Sequence, residues 1–191
     1  MTGQTPRAVV IGASAGAIQA LSEILPKLPG DFPALVLVVV HIPANRANIL
    51  APLFEKKCRI AVHEAEDKEP AVPGAVFFAP ANYHLLLEAD LTLALSTDEP
   101  VLHSRPAIDV LFESAADALG SSLIGVVLTG ANSDGARGLG AIAEAGGITI
   151  VEDPASAFAP AMPQAALAVC PGARVLPLHA IADALIEEIA K

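Results

Sequence analysis

The stretch Val9–Ala17, VVIGASAGA, constrains this chain more than any other. Ala8–Ile11 is an apolar run of strand type and Ala17–Leu21 opens a helical pattern, so Gly12–Gly16 has to be the tight turn joining a strand to a helix. Ser14 stands at the apex, bracketed by Gly12 and Gly16 as G-x-S-x-G, the spacing of a nucleophile elbow. The glycines permit a strained backbone and close approach of neighbouring chain. The hydroxyl then projects beyond the carboxyl end of the strand, near the positive end of a helix. A dinucleotide-binding loop begins in a similar way, but its G-x-G-x-x-G fingerprint needs glycine at 12, 14 and 17, and two of these are Ser14 and Ala17. The second strand also runs into His41 rather than into an acidic residue for a ribose.

Strands and helices alternate along the rest of the chain. Ile18, Leu21, Ile24, Leu25 and Leu28 recur at helical spacing until Pro29-Gly30, and Leu35–Val40 is an apolar run of the kind buried on both faces of a parallel sheet. Asn48–Lys57 reads as a helix and Arg59–His63 as a third strand. Val76–Phe78 is another short strand, and His84–Leu87 with Leu91–Leu95 forms an antiparallel hairpin. Ser104-Arg105-Pro106 starts a helix with proline in its first turn, and Ile108, Leu111, Phe112, Ala115 and Leu119 give its buried stripe. Leu123–Leu128 is a buried strand leading into the polar turn Thr129–Gly135 and the small-residue helix Ala136–Ala145. Ile148–Val151 is a strand, Ala155–Pro163 a loop and His179–Ala190 a closing helix. The expected fold is α/β: a doubly wound, mostly parallel sheet with helices on both faces and an antiparallel β-hairpin, in a single domain over residues 1–191.

Charge and composition exclude several functions. A formal net charge of −10 argues against nucleic acid or an anionic membrane as partner, because both require a basic face. Hydrophobic residues make up 53% of the chain, but no apolar run reaches the roughly 18 residues of a membrane span, so membrane insertion is not expected. Met1–Pro6 carries no apolar segment of a signal peptide, and Cys58 and Cys170 lack metal-ligand spacing, which fits a reduced, cytoplasmic protein. The acidic run Glu64, Glu66, Asp67 and Glu69 reads as a solvated loop, and His63, His84, His103 and His179 as surface or structural residues.

Ser14, His41 and Asp134 each fall just past the carboxyl end of an expected strand, where doubly wound sheets collect their ligands. A serine hydroxyl needs an imidazole to take its proton, and the imidazole needs a carboxylate to fix its tautomer. The three residues supply one of each, and backbone N–H groups of the Gly130–Asn132 turn are candidates to hold an oxyanion. Taken singly, Ser14 also reads as a helix cap, His41 as a structural histidine and Asp134 as a cap at its helix N-terminus.

Five segments in order carry a resemblance: IGASAGA at 11–17, VVHIP at 39–43, HEAEDKEPAVPGAVFFAPANYHL at 63–85, SRPAIDVLFESAA at 104–116 and VVLTGANSDGARG at 126–138. Over roughly Val9 to Leu167 the chain resembles the catalytic domain of the chemotaxis protein-glutamate methylesterases (CheB type). The resemblance implies a serine hydrolase that demethylates glutamyl methyl esters, and deamidates certain glutamines, on the cytoplasmic helices of methyl-accepting chemotaxis receptors. It implies Ser14 as nucleophile, His41 as base, Asp134 as orienting carboxylate and the Ala131 amide as oxyanion donor, with no metal or organic cofactor. The family's usual S-T-G-G is Ser14-Ala15-Gly16-Ala17 here, and its G-M-G-N-D-G is Gly130-Ala131-Asn132-Ser133-Asp134-Gly135. The first strand begins within ten residues of Met1, so a phospho-receiver domain in cis is not expected, and activity is either constitutive or controlled by a partner such as a separate regulator or a methyltransferase. The competing reading is a non-enzymatic adaptor that docks receptor or signalling partners.

Overall fold

The computed structural model describes residues 8–41 and 49–191. Its main sheet contains β1 (Ala8–Ala13), β2 (Leu35–Val40), β3 (Ala61–Glu64), β4 (Ala75–Phe78), β7 (Leu123–Val127), β8 (Ile148–Glu152) and β9 (Arg174–Leu176). The order across the sheet is β3-β4-β2-β1-β7-β8-β9, and every pairing in it is parallel. β5 (His84–Leu87) and β6 (Leu93–Ser96) form a separate antiparallel pair, the expected hairpin. The helices are α1 (Ala17–Ile24), α2 (Leu50–Glu55), α3 (Ile108–Leu119), α4 (Ala136–Glu144), α5 (Ala161–Val169) and α6 (Leu178–Ile189).

Side-chain alternation along β1 and β2 divides the interior into two layers. Ala8, Val10, Leu35, Leu37 and Val39 pack with Ile108, Leu111, Phe112, Leu139, Ile142 and Met162 from α3, α4 and α5, and with Leu85, Leu87 and Leu93 of the hairpin. Val9, Ile11, Val36 and Val38 face the other way, onto Leu21 and Ile24 of α1, Phe54 of α2, and Ile181 and Leu185 of α6. Every residue of β1 and β2 is buried, which explains why their sequences, AVVIGA and LVLVVV, are continuous apolar runs without polar alternation. Among the described residues no helix is long and apolar enough to cross a membrane.

The chain leaves β1 toward β2, β4 and β3 on one side and toward β7, β8 and β9 on the other. The order therefore reverses at β1, and the crevice at such a reversal lies where the turns after β1 and β7 separate to opposite faces. Ser14 follows β1 directly and Thr129–Asp134 follows β7.

The structure corrects the sequence reading in several places. α3 begins at Ile108, because Ala107 before it is extended (φ −111°, ψ 140°), so Pro106 lies ahead of the helix rather than in its first turn. The loop expected at 155–163 ends earlier, where α5 starts at Ala161 and carries Pro163 in its first turn. β9 is a three-residue edge strand. The third strand is Ala61–Glu64, and the second hairpin strand starts at Leu93 because Leu91 sits in a turn with φ 62°. The expected helix start Asn48 lies outside the described residues.

Candidate active site

The turn after β1 is held by the sheet itself. The Ser14 N–H donates to the Thr129 carbonyl at 2.9 Å and the His41 N–H donates to the Ala13 carbonyl at 3.3 Å, so each ladder runs one residue beyond its strand and fixes both backbones. Gly12 is required by packing, because a Cβ there would collide with the Ile108 side chain. Gly16 is required by conformation: its φ of 84° is left-handed and starts α1.

Nδ1 of His41 lies 3.2 Å from Oγ of Ser14, and Nε2 lies 2.7 Å from Oδ2 of Asp134. The structure thus brings together all three residues that the sequence singled out. A carboxylate only accepts, so the Nε2–H donates to Asp134 and the Nδ1 lone pair faces the serine hydroxyl. The chymotrypsin-type arrangement uses the two ring nitrogens the other way round. Asp134 is wholly buried and the His41 side chain is 12% exposed, so this hydrogen bond is shielded from water while the serine stays reachable.

Asp134 is fixed from behind by the first turn of α3. Oδ2 also accepts the Ile108 N–H at 2.7 Å, and Oδ1 accepts the Asp109 N–H at 2.9 Å. A carboxylate at a helix N-terminus satisfies donors that have no partner within the helix. Asp109 does the same for α4: its Oδ1 accepts the N–H groups of Gly135 at 3.0 Å and Gly138 at 2.8 Å. Burial pushes the Asp109 carboxyl above its ordinary value, the Gly138 hydrogen bond opposes this, and the nearby Asp134 charge adds to the rise.

The turn after β7 differs from expectation at one residue. The Gly130 N–H donates to the Ala159 carbonyl at 3.0 Å and is not free for an oxyanion. The Ala131 N–H has no acceptor among the described residues. Asn132 Oδ1 accepts the Asp134 N–H at 3.1 Å, closing a local turn that replaces the flexibility of a glycine.

A model of the CheB methylesterase family matches residues 9–185. The chain belongs to this family. It is 48% identical over 179 residues to a Leptospira interrogans protein provisionally named protein-glutamate methylesterase/protein-glutamine glutaminase, covering 94% of this chain and 93% of that one. It is 41% identical over 183 residues to the protein-glutamate methylesterase/protein-glutamine glutaminase of Symbiobacterium thermophilum, of which it spans 51%. The crystal structure of the Thermotoga maritima CheB methylesterase catalytic domain is similar at 34% identity and a TM-score of 0.93, over 97% of this chain and 100% of that one.

Within this CheB-family fold, several residues that support the site escaped the sequence reading. Thr129 joins three segments. Its carbonyl holds Ser14, its hydroxyl donates to the Ala15 carbonyl at 2.8 Å, and its Oγ1 accepts the Ala159 N–H at 2.8 Å. Buried Glu152, at the end of β8, accepts the Thr129 N–H at 2.8 Å. Burial raises its carboxyl above the ordinary range, the Thr129 hydrogen bond opposes this, and Asp153 adds to it. His84, read from sequence as surface or structural, is buried: its Nδ1 accepts the Ala107 N–H at 3.1 Å, and Nε2 pairs with the Glu99 carbonyl at 3.1 Å. It anchors the peptide just before the Ile108 N–H that holds Asp134. Only a run of chemically suggestive spacing announces a site residue in sequence, and Thr129, Glu152 and His84 sit singly within apolar or turn segments. Among the described residues no group of three His, Cys, Asp or Glu side chains is placed to hold a metal ion.

Proposed function

We propose that this chain is a serine hydrolase that demethylates glutamyl methyl esters on methyl-accepting chemotaxis receptors, and deamidates glutamines at related positions. The observation that carries the reading is the chain of contacts from Ser14 Oγ to His41 Nδ1 and from His41 Nε2 to Asp134, within a fold shared with a CheB methylesterase catalytic domain. In the reaction His41 Nδ1 removes the hydroxyl proton as Ser14 Oγ attacks the ester carbonyl. The imidazolium so formed is stabilised by buried Asp134. The Ala131 N–H donates to the developing oxyanion. Collapse of the tetrahedral intermediate expels methoxide, which leaves as methanol with the proton from Nδ1, and a glutamyl-serine ester remains. Water, deprotonated by the same Nδ1, then attacks that ester and regenerates Ser14 with a free glutamate. With a glutamine substrate the leaving group is ammonia and the remaining steps are unchanged.

Residues 1–191 act in this scheme as one catalytic domain in the cytoplasm that docks receptor helices, with a methyltransferase or a separate regulator as further partners. No metal or organic cofactor takes part in it. The direct test is covalent. A phosphonofluoridate that mimics the tetrahedral intermediate labels wild-type protein once, at Ser14 by peptide mass mapping, and fails to label Ser14→Ala. Labelling elsewhere, or undiminished labelling of Ser14→Ala, removes Ser14 as nucleophile.

A further inference from the structure

The chain has six phenylalanines. Phe32, Phe54, Phe77, Phe78 and Phe112 are exposed by 2% or less, whereas Phe158 is 74% exposed. An aromatic ring left in water is informative when its backbone has no freedom to bury it. The backbone around Phe158 is tied down on both sides. The Ser156 and Ala157 N–H groups donate to the Asp153 carbonyl at 3.0 and 3.1 Å, the Ala159 N–H donates to Thr129 Oγ1 at 2.8 Å, and the Ala159 carbonyl accepts the Gly130 N–H at 3.0 Å.

The ring stands beside the nucleophile. A Cβ on Gly16 would lie 2.9 Å from the Phe158 Cβ and 3.0 Å from Cγ and Cδ1, so the phenyl group packs on the backbone of the turn two residues beyond Ser14. Ile18, in the first turn of α1 and 46% exposed, continues an apolar surface from the same turn. Strand order sets the two sides of the site. His41 enters after β2 and the Phe158 loop enters after β8, on opposite sides of β1 and its serine. A substrate segment lying across Ser14 therefore has the imidazole at one side and the phenyl ring at the other.

We infer that Phe158 is a specificity-determining residue that packs against an apolar side chain of the receptor segment carrying the esterified glutamate; this rests on the methylesterase reading above. A rigid, pre-placed aromatic ring contributes contact area with little ordering of its own on binding. Its contribution is made alike in the ground and transition states, since the ring lies off the reacting carbonyl. Its loss appears in KM rather than in kcat.

The test measures methanol release from methylated receptor membranes by wild type, Phe158→Ala and Phe158→Leu, with circular dichroism to confirm that each variant folds. The expected result is a KM raised about tenfold in Phe158→Ala with kcat changed less than about twofold, and a KM within about threefold of wild type in Phe158→Leu, which keeps apolar area. An unchanged KM in Phe158→Ala, or a fall in kcat with KM constant, overturns the assignment while wild-type methanol release keeps the methylesterase reading intact. A wild-type protein that releases no methanol overturns both.

Discussion

Asp134 and Asp109 cap each other's helices. The Asp134 carboxylate accepts the backbone N–H of Asp109 at the start of α3, and the Asp109 carboxylate accepts the N–H of Gly135, the residue after Asp134, at the start of α4. The side chain that holds His41 is thus locked between two helices, and its position depends on the packing of both. A buried polar donor without a partner costs roughly 1–3 kcal/mol. Asp109→Ala, which strands the Gly135 and Gly138 N–H groups, is expected to lower stability by about 3 kcal/mol in urea unfolding and to reduce kcat through Asp134. Asp109→Asn keeps an oxygen at the same place and should lose less than about 1 kcal/mol.

Replacing Asp134 with Asn tests the tautomer. An amide turned to donate toward His41 would favour an imidazole with its proton on Nδ1, facing Ser14, where it can no longer accept the hydroxyl proton. Asp134→Asn should lower kcat by roughly 10⁴-fold, as the equivalent exchange does in other serine triads, with the fold preserved in circular dichroism. Turnover within tenfold of wild type would show that this contact does not set the tautomer.

Gly12→Ala places a methyl group against Ile108, whose N–H binds Asp134. Overpacking of this kind costs about 1–3 kcal/mol, and here it also displaces the start of α3. Activity and thermal midpoint should both fall in Gly12→Ala, and the fall should be smaller when the same exchange is made in an Ile108→Ala background, which removes the Cγ2 that the new methyl group strikes. Independent, additive losses would contradict the proposed clash.

Glu152 gives stability a pH dependence. Its folded carboxyl is raised by burial, so the folded state holds a proton more tightly than the unfolded chain. Stability from this group is full below the ordinary carboxylate range and is lost as pH rises through the raised value. Asp109 acts in the same direction. Glu152→Gln keeps an acceptor for the Thr129 N–H without the charge, so its thermal midpoint should exceed that of wild type at pH 8, and the difference should shrink toward pH 4. A midpoint difference independent of pH would show that charge burial at Glu152 is not the cause.

Much of the fold and the central part of the site were legible in the sequence. The apolar runs of β1, β2 and β7 announce strands buried on both faces, and the polar turns behind them are enough to place Ser14, His41 and Asp134 on one rim. The misses have local causes. α5 is rich in alanine and carries Pro163, so it shows neither a strong apolar stripe nor an obvious start. β9 exposes Arg174 and Val175 at the sheet edge, which erases the signature of a buried strand. The supporting contacts of Thr129, Glu152, His84 and Asp109 join residues 23 to 114 positions apart, and no local pattern encodes a partner at that separation. The withdrawal of the Gly130 amide by Ala159 belongs to the same class.

Attack of Ser14 on a glutamyl methyl ester is the step on which the proposed reaction of this CheB-family chain turns. The measurement that meets it most directly is release of labelled methanol from methylated receptor membranes by purified wild-type protein beside Ser14→Ala. Release by wild type and none above background from a folded Ser14→Ala variant is the expected result. Absence of release by folded wild type, or equal release by both proteins, would contradict it.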